Sequence, residues 1–218
     1  MRPQVQLVIA KYKEDARWLE AMPYPSRVYD KSGAPAPGAV ALPNVGRETH
    51  TYLHHILTQY PDFPEYTLFS QGWPFEHLEE HCGPIELAGL IGSAIERRAL
   101  FKGFAYYTLK CDGLGQPHDM RKPENEGRWA GYGQDIPVAE TYEQLFAGPV
   151  PQQYHVKAPA GIFLVHRERI LLRPRGLYET ALNLILGDPR DERNTGHAFE
   201  RLWYLIFNGY AALNKAAY

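Results

Sequence analysis

The sequence predicts a single α/β domain, residues 1–218, built on a mixed, mostly parallel sheet flanked by helices. Short runs of β-branched and aliphatic residues alternate with amphipathic helical stretches from end to end, the pattern that layered α/β folds require. A chain of 218 residues is long enough for one hydrophobic core; at this size folding buries roughly 70% of the unfolded surface, so no disulfide or metal is needed for stability. No internal repeat divides the chain.

The elements follow in order. Residues 5–10 form an aliphatic first strand, followed by the polar turn Lys11-Tyr12-Lys13-Glu14-Asp15 and a short helix over 16–22. Arg27-Val28-Tyr29 is a second strand, and residues 31–42, rich in Pro, Ala and Gly, are a loop. Asn44 is placed to cap a helix that carries Tyr52, Ile56 and Tyr60 on one face, with Leu53 and Leu57 alongside, until Pro61 ends it. Tyr66-Thr67-Leu68-Phe69 is a strand that runs out in Ser70-Gln71-Gly72. Pro74 then opens a short helix that Gly83-Pro84 closes. A helix over 85–100 and a strand over 104–109 come next. Residues 112–137 show no period and read as a flexible functional loop. Beyond them lie a helix over 139–146, the apolar strand Gly161-Ile162-Phe163-Leu164-Val165, and a helix opened by His166-Arg167-Glu168-Arg169. Two amphipathic helices over 178–186 and 198–208 complete the chain.

Charge is nearly balanced, 23 Lys+Arg against 25 Asp+Glu, which argues against general nucleic-acid binding through a basic surface. Cys82 and Cys111 have no CxxC spacing and fit a reduced, cytoplasmic protein. The apolar run Leu7-Val8-Ile9-Ala10 is too short for a signal-peptide core, and no stretch of 18 apolar residues occurs, so no transmembrane segment is expected.

In open α/β sheets ligands sit beyond the carboxyl ends of the strands, so the residues just after each strand carry most information. Here these are Tyr12-Lys13-Glu14-Asp15, Gln71-Gly72-Trp73 with Phe75 and His77, and the Pro159-Ala160-Gly161 approach to a later strand. Gly46 and Arg47 stand at a helix start, where free N–H groups and the dipole favour an anion such as a diphosphate. An ordinary helix start with Arg47 paired to a carboxylate has the same pattern. His50 with His54, and His77 with His81, have the i, i+4 spacing that can grip one metal ion. His77-Leu78-Glu79-Glu80-His81 also fits the H-x-x-E-H pattern of inverted zinc peptidases, in which Glu80 would activate a zinc-bound water. A solvated acidic helix face is the plainer alternative. P-loop, G-x-G-x-x-G and G-x-S-x-G signatures are absent, as is any Asp-x-Asp. In the last helix Glu200 flanks the apolar stripe of Phe199, Leu202, Trp203, Ile206 and Phe207. It reads either as a base facing a cleft or as a buried partner of an arginine such as Arg47 or Arg167.

Several segments together resemble domain-of-unknown-function family 3431. They are Lys11-Tyr12-Lys13-Glu14-Asp15 with Trp18-Leu19, the run from Leu42-Pro43-Asn44-Val45-Gly46-Arg47-Glu48 to Ile56, Phe69-Ser70-Gln71-Gly72-Trp73-Pro74-Phe75-Glu76-His77, Ala160-Gly161-Ile162-Phe163 and Glu200-Arg201-Leu202-Trp203. The plan of that family is similar to small glycosyltransferases of the A-type, Rossmann-like fold. The resemblance implies hexosyl or pentosyl transfer from a nucleotide-sugar donor to a glycan, lipid-linked or small-molecule acceptor hydroxyl. It places Tyr12, Glu14 and Asp15 near a nucleobase or ribose, and Asn44, Gly46, Arg47, His50, Gln71 and His77 around the donor. Gly161, Arg201 and Trp203 fall on its acceptor side, and Glu200, with Glu48 behind it, is the implied base. Such transferases hold a divalent ion, Mn or Mg, through an Asp-x-Asp at the end of a middle strand. Ser70-Gln71-Gly72 stands there instead. The leaving diphosphate then falls to Arg47 and His77, or a metal falls to His50, His54 and His77. Two further readings are a non-catalytic nucleotide- or sugar-binding module and a zinc-dependent hydrolase built on His77, Glu80 and His81. A lipid-linked acceptor would bring the protein to a membrane periphery.

Overall fold

Val5–Lys11 (β1) is buried along both faces, as a central strand of a covered parallel sheet must be. The structure, a computed structural model, describes residues 3–112, 136–158, 160–209 and 211–218. Beside β1 lie Ser26–Asp30 (β2), Val40–Ala41 (β3), Tyr66–Gln71 (β4), Phe101–Gly103 (β5) and Phe163–His166 (β8), in the order β3-β2-β1-β4-β8-β5. The first four strands run parallel, and β8 is antiparallel to both β4 and β5. Thr108–Asp112 (β6) and Gln153–Lys157 (β7) form a separate antiparallel pair.

The strand period of two sorts side chains onto two faces. Leu7, Ile9, Leu68 and Leu164 meet Leu87 and Ile91 of Pro84–Glu96 (α2) and Trp18 of the 3-10 turn Arg17–Ala21. Val8, Phe69, Phe163 and Val165 face the larger layer of Arg47–Gln59 (α1), Val138–Leu145 (α3), Arg175–Leu186 (α5) and Thr195–Asn208 (α6). An aromatic cluster holds that layer on the sheet: Trp203 stacks on Phe207, ring centroids 5.6 Å apart, and both rings contact Phe163. Arg167–Leu171 (α4) follows β8 directly and is capped by His166, whose Nδ1 accepts from the Glu168 N–H. Among the described residues no helix is long and apolar enough to cross a membrane.

The structure is thus the mixed, mostly parallel α/β arrangement the sequence predicts, with local differences. Gly46 rather than Asn44 caps α1. A Cβ at Gly46 would lie 2.0 Å from Ile185 Cγ2, so α1 starts where only glycine lets it press on α5. The helix expected after Pro74 is only the 3-10 turn Phe75–His77, and His81 has a left-handed backbone, φ 67°. His77 and His81 therefore share no helix, and the H-x-x-E-H spacing never becomes a paired face. Of the strand expected over 104–109 only its last two residues are strand: β5 stops at Gly103, Phe104 packs into the core, and β6 starts at Thr108 and pairs with β7. The loop expected over 112–137 falls, for residues 113–135, outside the described residues; at its ends Asp112 closes β6, and Ile136 packs into the core ahead of α3.

Candidate active site

The parallel strands end together: Lys11 pairs in register with Asp30, and Ala10 with Gln71. From β1 the chain turns to β2 on one side and reaches β4 on the other, so the strand order reverses at β1/β4, where open α/β sheets leave a crevice. A cleft of about 690 Å³ occupies that place. The β1 end supplies Lys11, Tyr12, Glu14 and Asp15; the β4 end supplies Gln71, Trp73 and Glu76. Lys31 from the end of β2 and Asn44, Arg47 and Glu48 from the start of α1 close it.

Much of this polar wall is committed to itself. Glu14 Oε2 accepts from the Tyr12 backbone N–H at 2.6 Å. Asp15 accepts from the Arg17 N–H at 2.9 Å, and the Arg17 guanidinium beside it holds its carboxyl below the usual range. Buried Asp30 pairs with Lys11 at 2.8 Å and accepts from the N–H groups of Ser32 and Ala36. Burial alone would raise Asp30, but the bonds from Lys11, Ser32 and Ala36 outweigh it and bring the carboxyl down to about 2. Gln71 Nε2 donates to the Trp73 carbonyl at 3.3 Å. Tyr12 and Trp73, which both line the cleft, remain 39% and 41% exposed.

The entrance of α1 is pinned from two directions. Gly46 and Arg47 both have left-handed φ, 56° and 51°, a costly pair for which neighbouring contacts must compensate. Lys31 Nζ donates to the carbonyl of Val45 at 2.6 Å and to that of Arg47. From the other side Gly46 N–H donates to Pro189 O, and the Arg47 guanidinium pairs with Asp191. Arg47 is thus at a helix start and also paired with a carboxylate. Burial pushes the Lys31 ammonium down to about 8, against the pull of Glu48.

The starts of α1 and α6 converge, with Gly196 of α6 against the Arg47 side chain. Two carboxylates meet there. Glu48, whose Oε1 is buried without a hydrogen-bond partner, is raised to about 7 by burial and then by the negative charge of Glu200. Glu200 goes the other way: burial opposes ionisation, but the hydrogen bond from His197 and the charges of Arg201, His197 and Arg47 hold it ionised. Its Oε2 lies 3.6 Å from His197 Nδ1 and 3.3 Å from Arg201 Nη1. Beneath them buried Tyr52 donates to the Gly161 carbonyl at 2.7 Å. Gly161 has a left-handed φ of 63° that strains any side chain, and a Cβ there would press on Glu48 Cγ at 3.2 Å.

A family model described as "Protein of unknown function (DUF3431)" matches residues 7–217, nearly the whole chain. The chain belongs to this family. No curated protein and no solved structure matches it.

Of the residues expected around a donor in this DUF3431 protein, Tyr12, Glu14, Asp15, Asn44, Arg47 and Gln71 line one cleft; Gly46 forms the α1 cap just behind it, and His77 does not line it. His50 is buried and held down to about 4 by burial and the charge of Lys31. His54 stands with its ring 6.3 Å from that of His50 and is lowered by burial and Arg27. Cationic neighbours do not suit these imidazoles to a divalent ion. Among the described residues no three His, Cys, Asp or Glu side chains are grouped to hold a metal. Gly161 lies against Glu48, whereas Arg201 and Trp203 are buried at 2% exposure, Arg201 on the His197 carbonyl and Trp203 in the aromatic core. Asp30 and Lys31 were not expected at the site. The strand-end rule applied to Arg27-Val28-Tyr29, as it was to the first strand, points straight to them.

Proposed function

We propose that this DUF3431 protein is a sugar transferase of the glycosyltransferase-A type, which moves a sugar from a nucleoside-diphosphate donor to an acceptor hydroxyl. The observation that carries the reading is the cleft at the β1/β4 reversal with a carboxylic acid of pKa about 7 on its wall. The volume admits a nucleotide sugar. Tyr12 and Trp73 offer stacking faces for a base and a sugar ring. The start of α1, whose glycine cap has no side chain to occupy the free N–H groups, offers donors to phosphate oxygens.

The base role falls to Glu48 before Glu200. Glu48 lines the cleft, and its proton affinity is matched to neutral solution, where a general base works best. Burial raises that affinity first, and the charge of Glu200, anchored by His197 and Arg201, raises it further. In the transfer the bond from the sugar anomeric carbon to the diphosphate oxygen breaks and its electron pair stays on that oxygen. The acceptor oxygen bonds to the anomeric carbon, and its proton passes to Glu48. The end of β4 does not fit the divalent ion of Asp-x-Asp transferases, because Ser70-Gln71-Gly72 offers no carboxylate there, and no step here runs through a metal.

The test is a panel of nucleotide sugars and nucleoside diphosphates scored by thermal unfolding, then by release of nucleoside diphosphate with candidate acceptors. One donor family should raise the unfolding temperature, and E48Q should keep that shift while losing roughly a hundredfold or more in turnover. No shift across the panel, or an E48Q variant with full turnover, refutes the reading. Donor binding without turnover on any acceptor makes the cleft a binding module instead.

A further inference from the structure

Among the described residues three cations line the cleft, and two of them are already neutralised: Lys11 by Asp30 and Arg47 by Asp191. Lys31 differs. Only 5% exposed, it has no carboxylate in an ion pair among the described residues, and two of its three N–H bonds go to the carbonyls of Val45 and Arg47. Carbonyl dipoles offset part of the cost of burying an ammonium, and a counter-anion is needed for the rest. Glu48 acts on Lys31 electrostatically, but it carries a proton for part of the time at neutral pH and so is an incomplete counter-charge. Lys31 is rigidly held, because its two acceptors belong to the left-handed turn that opens α1. It therefore presents a preorganised positive charge to the cleft beside the start of α1.

We propose that Lys31 binds the diphosphate of the donor and supplies the positive charge that Asp-x-Asp transferases take from a divalent ion. The proposal rests on the transferase reading for the identity of its anion. When the sugar–phosphate bond breaks, the electron pair left on the diphosphate oxygen adds negative charge next to Lys31, which favours its ammonium form, and Lys31 gives up no proton in the step. Its third N–H bond is the one available to a phosphate oxygen. Such charge-assisted bonds are the strong ones, and they strengthen as the leaving group becomes more anionic.

The experiment is calorimetric titration of the protein with inorganic pyrophosphate and with nucleoside diphosphates in excess EDTA. The wild type should bind pyrophosphate without any divalent ion. K31M should bind it roughly tenfold to hundredfold more weakly, and K31R, which keeps charge and donors, should restore most of the loss. Because K31M also frees the Val45 and Arg47 carbonyls and could unfold, crystals of the wild type soaked in pyrophosphate and EDTA give the same answer without a variant. A phosphate oxygen within hydrogen-bond reach of Lys31 Nζ supports the proposal. Pyrophosphate bound elsewhere, absent, or bound only with Mg²⁺ or Mn²⁺ overturns it. The two readings fail separately: pyrophosphate on Lys31 in a protein that transfers no sugar removes the transferase and leaves the anion site, whereas metal-dependent transfer untouched by K31M does the reverse.

Discussion

Replacing Glu48 by Gln exchanges a carboxylate that folding disfavours for a neutral group of nearly the same shape, so it should stabilise the protein while removing the proposed base. The free acid has a value of 4.5, and in the fold it is raised to about 7 by burial and by Glu200. A raised acid binds its proton more tightly in the folded state. Its stabilising contribution is complete below about pH 4.5 and is lost as pH climbs through about 7. At about 1.4 kcal/mol per pH unit the loss has an upper limit of about 3.4 kcal/mol. Water in the cleft and the charge shared with Glu200 reduce it to about 2 kcal/mol. Urea unfolding of wild type and E48Q at pH 5 and pH 8 measures this directly. E48Q should be more stable by about 2 kcal/mol at pH 8, about 4–8 °C in unfolding temperature for a chain of this length, with the margin shrinking toward pH 5. An E48Q no more stable than wild type at pH 8, or a difference equal at both pH values, refutes the reasoning, because neither fits a carboxyl that titrates between them.

Asp30 has the opposite sign. Lowered to about 2, it contributes stability above pH 4 that disappears as pH falls from about 4 to 2, so D30N should cost about 2 kcal/mol at neutral pH and little at pH 2; a cost unchanged with pH in urea unfolding would contradict the Lys11 pairing. W203A should cost about 3–5 kcal/mol, since the buried indole packs on Phe163, Phe199 and Phe207 and leaves a cavity none of them can fill; a loss under about 1 kcal/mol would place Trp203 outside the core. G161A should destabilise by about 1–2 kcal/mol through its positive φ and its push on Glu48, and it should lower turnover more than donor affinity. Unfolding and steady-state kinetics on one preparation test both, and an unaffected variant counts against the Gly161–Glu48 contact.

The site was legible where it depends on strand ends and opaque where it depends on helices meeting. Tyr12, Arg47 and Gln71 follow from locating β1, α1 and β4, because a parallel sheet opens at its carboxyl edge and whatever ends a strand there faces the crevice. Lys31 was equally reachable by that rule. The Glu48–Glu200 opposition was not, since nothing local in either helix says that α1 and α6 start side by side, or that Asp191 rather than a ligand takes the Arg47 guanidinium. The His77/His81 pair shows the converse error. An i, i+4 spacing has chemical meaning only on a helix, and the left-handed backbone at His81 removes the helix.

By itself the amino-acid sequence determined the alternation of strands and helices, the aliphatic β1 and the aromatic-rich β4, the apolar stripe of α6 and the family, because these rest on local periodicity and on runs of neighbouring residues. Tertiary structure alone decided the strand order, the pairing of Asp30 with Lys11, the burial of Arg201 and Trp203, and the split in proton affinity between two glutamates. The physical reason is range. Backbone periodicity is set over a few residues, whereas a charge's solvation and partners are set by whichever distant segments the fold brings within a few ångströms.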